Sequence, residues 1–268
     1  MENKVPVQSV KKALDVLDLI IEADVSGASA PLAELAERMA IPRNSTHNLV
    51  KTLVACGYVE PSGRGRYVLG SKCRQLARLG RFDRPVAREA IADRLRRFVD
   101  EEHEACLLVV LVNGERAIMR YVDCRQAVRV SRTTVEKAPF YERPTGRMLA
   151  AVADEAELRQ ILDRHGLPGA QWDDIEDEAS LRKALAALRR QGYCRIAQHN
   201  DLVALACPVI GAGGAACGVV GTFAPGYRCP AARGKKLLAA LRRVASDLAV
   251  VAVVPEGPNS TSKCPKGS

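Results

Sequence analysis

The chain has 268 residues, 47% of them hydrophobic and 26% charged, which predicts roughly two globular domains with apolar cores of their own. No segment approaches the roughly 18 uncharged apolar residues of a membrane helix. The N-terminus, MENKVPVQSVKKALDVL, lacks the apolar stretch and cleavage site of a secretory signal, so a cytoplasmic protein without a membrane partner is expected. The net charge of +9 invites a polyanion, and +7 of it lies in residues 61–100, with eleven basic and four acidic side chains.

From Val7 to Ile21, apolar residues at Val10, Leu14, Leu17 and Ile21 are spaced as one face of an amphipathic helix. After the small, polar GASA comes PLAELAERM, a second helix with Pro31 in its first turn and Leu32, Leu35, Ala36 and Met39 on one face. Pro42 interrupts, and Asn44 is suited to cap a third helix from Ser45 to Cys56, which Gly57 ends. Two short strands follow, Tyr58–Glu60 and Arg66–Leu69, around the turn Pro61–Gly65. Helix, helix, turn, helix and hairpin is the order of a winged helix-turn-helix.

A basic helix runs from Ser71 to about Arg81, and Asp83-Arg84-Pro85 starts another that reaches about Glu102. Beyond it, LLVVLV and AIMRYV flank Asn113-Gly114, a strong hairpin signal. Helices are expected near 144–164 and 178–191, then strands LVALACPVI and ACGVVGTF around the turn Gly211–Gly214, then a helix from Ala231 to about Val253. The fold class is α+β. The expected divisions are a winged-helix domain at 1–70, a linker helix at 71–82, an α+β domain at 83–254 and a disordered tail at 255–268.

A helix that enters the major groove buries one face on its own domain and presents polar groups on the other. In NSTHNLVKTLVACG the buried set is Thr46, Leu49, Val50 and Leu53, leaving Ser45, His47, Asn48 and Lys51 outward, with Arg43 and Asn44 at the leading end. Asn48 suits bidentate pairing with adenine, and His47 can donate or accept at a base edge. Arg43 and Lys51 suit phosphates, as do Arg64 and Arg66 at the wing. The expected partner is double-stranded operator DNA.

The nine cysteines form no C-x-x-C, so zinc ribbons and thioredoxin-like sites lack support, and no metal or cofactor is expected. Several lie in apolar runs, as small buried hydrophobes do. Cys73, beside Lys72 and Arg74, and Cys229, beside Arg228, are the weak candidates for a reactive thiolate. His103 and Cys106 are placed to share a helical face, but two ligands do not make a zinc site.

The stretch VQSVKKALDVLDLI…PLAELAERMAIPRNSTHNLVKTLVACGYVE…GRYVLG resembles the N-terminal half of IclR-type bacterial transcriptional regulators. The resemblance extends over residues 5 to about 253 and is stronger before about residue 80. It implies a winged helix joined by a linker helix to a GAF-like effector domain, acting as a homodimer or dimer of dimers, as repressor or activator. Asn48 stands where the family usually carries Arg.

PFYERPTGRMLAA, residues 139–151, resembles the family's P-L-H-x-T-A-x-G-K-A-x-L-A, which lines the effector pocket. The resemblance implies pocket residues Thr145, Gly146, Met148, Ala204, Gly221 and Phe223. Family members that bind small carboxylates carry Cys at the position of Ala204 and Ser at those of Gly221 and Phe223. Without those donors a small carboxylate is poorly compensated. The expected small-molecule effector is therefore larger, more apolar or aromatic, with Arg147, Arg129 and Thr145 available as polar anchors. The alternatives are that Phe223 and Met148 fill the cavity, or that a thiol makes the regulator redox-responsive. A hydrolase built on Cys207 lacks any patterned base, so no enzyme is expected.

Overall fold

The computed structural model describes residues 5–127, 129, 132–198, 202–211 and 214–251. The expected tail at 255–268 and the middle of the Gly211–Gly214 turn lie outside the described residues. The chain divides into two compact units, residues 1–80 and 81–268.

The first unit contains α1 (Gln8–Val25), β1 (Ala30–Pro31), α2 (Leu32–Met39), α3 (Arg43–Ala55), β2 (Val59–Pro61), β3 (Arg66–Leu69) and most of α4 (Ser71–Asp83). Pro31 caps α2 from a two-residue strand that pairs antiparallel with β3, so the wing has three strands in the order β1-β3-β2. Ala40, at φ 50°, turns the chain left-handed after α2, and Pro42 then opens α3. The helix therefore begins at Arg43, and Asn44 lies inside its first turn with no capping bond from its side chain; the expected cap is corrected. Proline already supplies the extended φ that a cap position needs.

The core of this unit is Val16, Ile20, Leu32, Leu35, Val50, Leu53 and Val59. It takes a different face of α1 from the expected stripe, of which only Leu17 packs against it. Val10 and Leu14 are 55% and 54% exposed, and Ile21 is exposed too, while Val16 and Ile20 on the opposite side are fully buried. The helix is apolar on two faces, and the core takes the one whose side chains meet α2, α3 and β3. At the far end of the wing, a Cβ on Gly70 would stand 2.4 Å from the Gly57 carbonyl oxygen, so only glycine lets the two segments close.

The second unit contains α5 (Pro85–Glu102), β4 (Ala105–Val112), β5 (Glu115–Val122), α6 (Arg132–Lys137), α7 (Pro144–Val152), α8 (Glu155–His165), α9 (Glu178–Gln191), β6 (Cys194–Gln198), β7 (Leu202–Ile210), β8 (Ala216–Pro225) and α10 (Ala231–Val251). The strands form one antiparallel sheet in the order β5-β4-β8-β7-β6. Helices α5 and α10 pack on one face and α7 on the other, with α9 against α7. Asn113 and Gly114 both take positive φ, as a two-residue hairpin between β4 and β5 requires.

The single helix expected at 144–164 is two helices. Asp154 accepts from the Glu157 backbone N–H and Glu157 accepts from that of Asp154, a reciprocal cap that starts α8 afresh. His103, at φ 55°, ends α5, and Cys106 lies in β4, so the two share no helix. Two carboxylates of this region are buried and paired. Glu104 accepts two bonds of 2.9 Å from Arg228, and Glu102 accepts from Arg233, joining the start of β4 to the entrance of α10.

Candidate functional site

Helix α3 presents two chemically distinct faces. Thr46, Val50 and Leu53 are buried and Leu49 half-buried, while Arg43, Asn44, Ser45, His47, Asn48 and Lys51 are exposed. The backbone N–H of Thr46 donates to the Pro42 carbonyl at 3.0 Å, and the Thr52 hydroxyl to the Asn48 carbonyl at 2.9 Å; neither uses an outward side chain. The six outward residues thus form a continuous polar strip on one helix, led by its N-terminal turn.

The wing is less uniform. Arg64 is exposed in the turn between Gly63 and Gly65, both at positive φ. Arg66 is not at the tip: it begins β3, and its guanidinium donates to the Ser29 hydroxyl at 2.6 Å and to the Ser29 carbonyl at 2.8 Å. That fork straps the wing to the residues before β1. Other members of the basic stretch are also engaged. Arg74 pairs with Glu60 at 2.9 Å, Lys72 lies over the Tyr58 ring at 5.3 Å, and Arg96 pairs with Asp93 at 2.6 Å. The charge on offer to a polyanion is accordingly smaller than the raw excess.

In the second unit, four of the six residues expected at a pocket meet around one small cavity of about 20 Å³: Thr145, Ala204, Gly221 and Phe223. That is room for about one water molecule. Gly146 and Met148 do not line it. A Cβ on Gly146 would stand 1.9 Å from the Phe140 carbonyl oxygen, so this glycine serves close backbone packing, and Met148 is wholly buried in the core. Gly221 has a similar explanation, because a Cβ there would meet the Thr145 Cγ2 at 2.6 Å. The α7 methyl occupies the space that a serine side chain would need.

The expected anchors are displaced as well. Arg147 turns away from the cavity, donating to the Tyr141 and Gln171 carbonyls at 2.7 Å each and stacking over Trp172 at 4.7 Å. Arg129 pairs with Asp123 at 3.1 Å and is exposed. The cation that does line the cavity is Arg143, the residue immediately before α7, with Leu107 and Pro144 beside it. Arg143 is 7% exposed, and burial holds its pKa below the usual guanidinium range, against the favourable charge of Glu142. Arg116 on β5 is pushed the same way, first by burial and then by the positive charge of Arg143. Sequence reasoning missed Arg143 because R-P-T reads as an ordinary helix start.

Burial opposes a thiolate at both cysteines singled out by their basic neighbours. Burial raises Cys73 despite Arg74, and raises Cys229 despite Arg195 and Arg233. Cys194 and Cys207 are pushed up to about 12 by burial. Among the described residues, no group of three or more His, Cys, Asp or Glu side chains is placed to hold a metal, and no helix is long and apolar enough to cross a membrane.

A three-helix unit with a β wing and an outward polar helix, followed by an α/β unit with an internal cavity, defines a DNA-binding regulator with a sensor domain. Residues 9–63 match the IclR helix-turn-helix domain, and residues 84–250 match the family described as bacterial transcriptional regulator IclR C-terminal. The chain belongs to the IclR family of DNA-binding transcriptional regulators, whose operator binding responds to small-molecule effectors. It is 27% identical over 197 residues to the transcriptional repressor IclR of Escherichia coli (strain K12), covering 70% of this chain and 68% of that protein. A transcriptional regulator from Rhodococcus sp. RHA1 shares the fold with a TM-score of 0.54 at 23% identity, over 91% of this chain and 97% of that one. An IclR homologue from Microbacterium hydrocarbonoxydans, solved in complex with 4-hydroxybenzoate, does so at a TM-score of 0.51 and 20% identity, over 91% and 98% of the two chains.

Proposed function

We propose that this regulator reads its operator through α3, with Asn44, Ser45, His47 and Asn48 at base edges and Arg43, Lys51 and Arg64 on phosphates. The observation that carries this reading is the unbroken exposed strip of those residues opposite Thr46, Val50 and Leu53. Arg66 acts first as the strap of the wing through Ser29 and only secondarily on the backbone of DNA. Residues 71–82 serve as the linker that transmits the effector's signal, and the protein works in the cytoplasm.

The working unit is a homodimer, so that two heads meet a pseudo-palindrome with half-sites about one helical turn apart or a multiple of it. Support comes from α1, where Val7, Val10, Leu14 and Ile21 form an exposed stripe opposite the core. An antiparallel second copy centred on Leu14 sets Val7 against Ile21. It also sets the basic Lys11 and Lys12 of each copy over the half of α1 that carries Asp15, Asp18 and Glu22.

The effector is larger and more apolar than a two- or three-carbon acid. The cavity wall offers Leu107, Ala204 and Phe223, and Gly221 leaves no hydroxyl there. The 4-hydroxybenzoate held by the Microbacterium homologue is a compound of this kind. To couple, the effector must bind one arrangement of the protein better than the other. Footprinting on the gene's own upstream region, with and without aromatic acids at a stated salt concentration, tests the whole reading. Protection of a pseudo-palindrome that changes with an aromatic acid supports it; only salt-sensitive binding without a footprint refutes it.

A further inference from the structure

We infer that Glu60 is a positioning residue of the wing: its carboxylate joins β2 to the start of the linker helix α4, and so sets where Arg64 stands on DNA. The inference rests on reading Arg64 as a phosphate contact, and it names the side chain that holds that contact in place.

The first turn of a helix carries backbone N–H groups that have no partner within the helix. In α4, two of them are met by the segment that opens the wing. The Ser71 N–H donates to Glu60 Oε1 at 2.9 Å, and the Lys72 N–H donates to the Gly57 carbonyl at 3.1 Å. A carboxylate here also faces the positive end of the helix dipole. Ser71 is only 2% exposed, so water is poorly placed to replace Glu60, and an orphaned buried N–H is costly.

Arg74, at the end of that turn, closes the joint from its own side. Its Nη2 donates to the same Glu60 oxygen at 2.9 Å, and its Nη1 donates to the Leu69 carbonyl at 2.7 Å. The Glu60 and Arg74 side chains are 37% and 40% exposed, so their ion pair contributes little beside the capped amide. Acceptance by the Glu60 oxygen matters more here than its charge.

The strands carry this joint to the tip. Glu60 stands opposite Val68 of β3, and the chain from Pro61 turns through Gly63, Arg64 and Gly65 before β3 begins at Arg66. Arg66 roots β3 on Ser29, while Glu60 roots β2 on α4. Two roots fix the tilt of a ribbon as well as its place. With the Glu60 root removed, β3 stays held at Ser29 and Arg64 is free to swing.

The test compares the full chain with Glu60→Ala, Glu60→Gln, Arg64→Ala and the double variant Glu60→Ala/Arg64→Ala. Hydrogen exchange on the free protein reads the joint. Glu60→Ala should speed exchange about tenfold at residues 58–60 and 70–74, and leave α1 and α3 unmoved. Glu60→Gln should stay within about twofold of the wild type, because its side-chain carbonyl still accepts from the Ser71 N–H.

Fluorescence anisotropy across a salt series reads the tip, on a duplex from the gene's own upstream region and on a scrambled one. Arg64→Ala and Glu60→Ala should each reduce the slope of log affinity against log salt by about one. The double variant should lose no more than either alone. Exchange that is unchanged in Glu60→Ala, or raised alike throughout the first unit, overturns the joint. Additive slopes in the double variant overturn its action through Arg64. An Arg64→Ala slope equal to that of the wild type removes the phosphate contact itself, and the positioning role falls with it. Should Glu60→Ala not fold, as judged by circular dichroism, Glu60→Asp withdraws the carboxylate by one methylene and the same two measurements decide.

Discussion

At the scale of single residues, the proposed reading has α3 separate affinity from specificity. Asn48 and His47 are exposed and central to the polar strip, whereas Lys51 lies one turn further along. Asn48→Ala or His47→Ala should cost about 1–3 kcal/mol on the specific operator and little on random DNA. Lys51→Ala should weaken both alike and reduce the slope of log affinity against log salt by about one. Fluorescence anisotropy on specific and scrambled duplexes across a salt series separates the two behaviours, and an equal loss on both duplexes for Asn48→Ala would remove it from base reading.

A second residue-scale prediction concerns the cavity wall. Gly221 faces the Thr145 methyl so closely that a Cβ would stand at 2.6 Å. Gly221→Ser should destabilise the protein by about 1–3 kcal/mol through overpacking. Thr145→Ser removes the offending methyl and should recover most of that loss. Urea unfolding of the two single variants and the double variant gives the coupling directly, and additive effects would show that the methyl is not the obstacle.

At the scale of elements, α1 and α8 illustrate different signals. Helix α1 carries Val10, Leu14, Leu17 and Ile21 at helical spacing, and also Val16 and Ile20 on another side. Periodicity alone selects the first stripe; packing against α2, α3 and β3 selects the second, and leaves Leu14 in water. If that stripe joins two copies, Leu14→Glu should yield a monomer with an unchanged fold and much weaker operator binding, as sedimentation and anisotropy would reveal. A variant that remains dimeric would move the interface elsewhere. The start of α8 was missed although its signal is local: Asp154 and Glu157 stand three apart, as in a capping box. Asp154→Ala should cost about 1 kcal/mol in chemical denaturation.

For the whole molecule, the two units have separate cores and separate chemistry. A fragment spanning residues 84–251 should fold, gain thermal stability with aromatic acids and bind no operator. A fragment that stays unfolded would mean that its core depends on the rest of the chain. The thiols follow the same division. Cys56 is exposed in the first unit, whereas Cys106, Cys194 and Cys207 are buried in the second with pKa values raised by burial. A disulfide reagent at neutral pH should modify Cys56 in the native protein and reach those three only after unfolding. Rapid native labelling of Cys207 would revive a thiol-based response.

The helix-helix-helix-wing order of the first unit, the outward set on α3 and the hairpin at Asn113-Gly114 were legible in the sequence, because each depends on spacing or turn chemistry within a few residues, whereas β1, α6 and the break between α7 and α8 were not read. The motifs also carry the resemblance to the family. What only the tertiary structure decided are matters of contact between distant segments. Arg66 is tied to Ser29 and Arg147 to the Tyr141 and Gln171 carbonyls, while Arg143 is the cation that lines the cavity. A long side chain has several places to go, and partners such as Ser29 for Arg66 and Gln171 for Arg147 lie tens of residues away. The choice among them is made by packing and desolvation, which local spacing does not record.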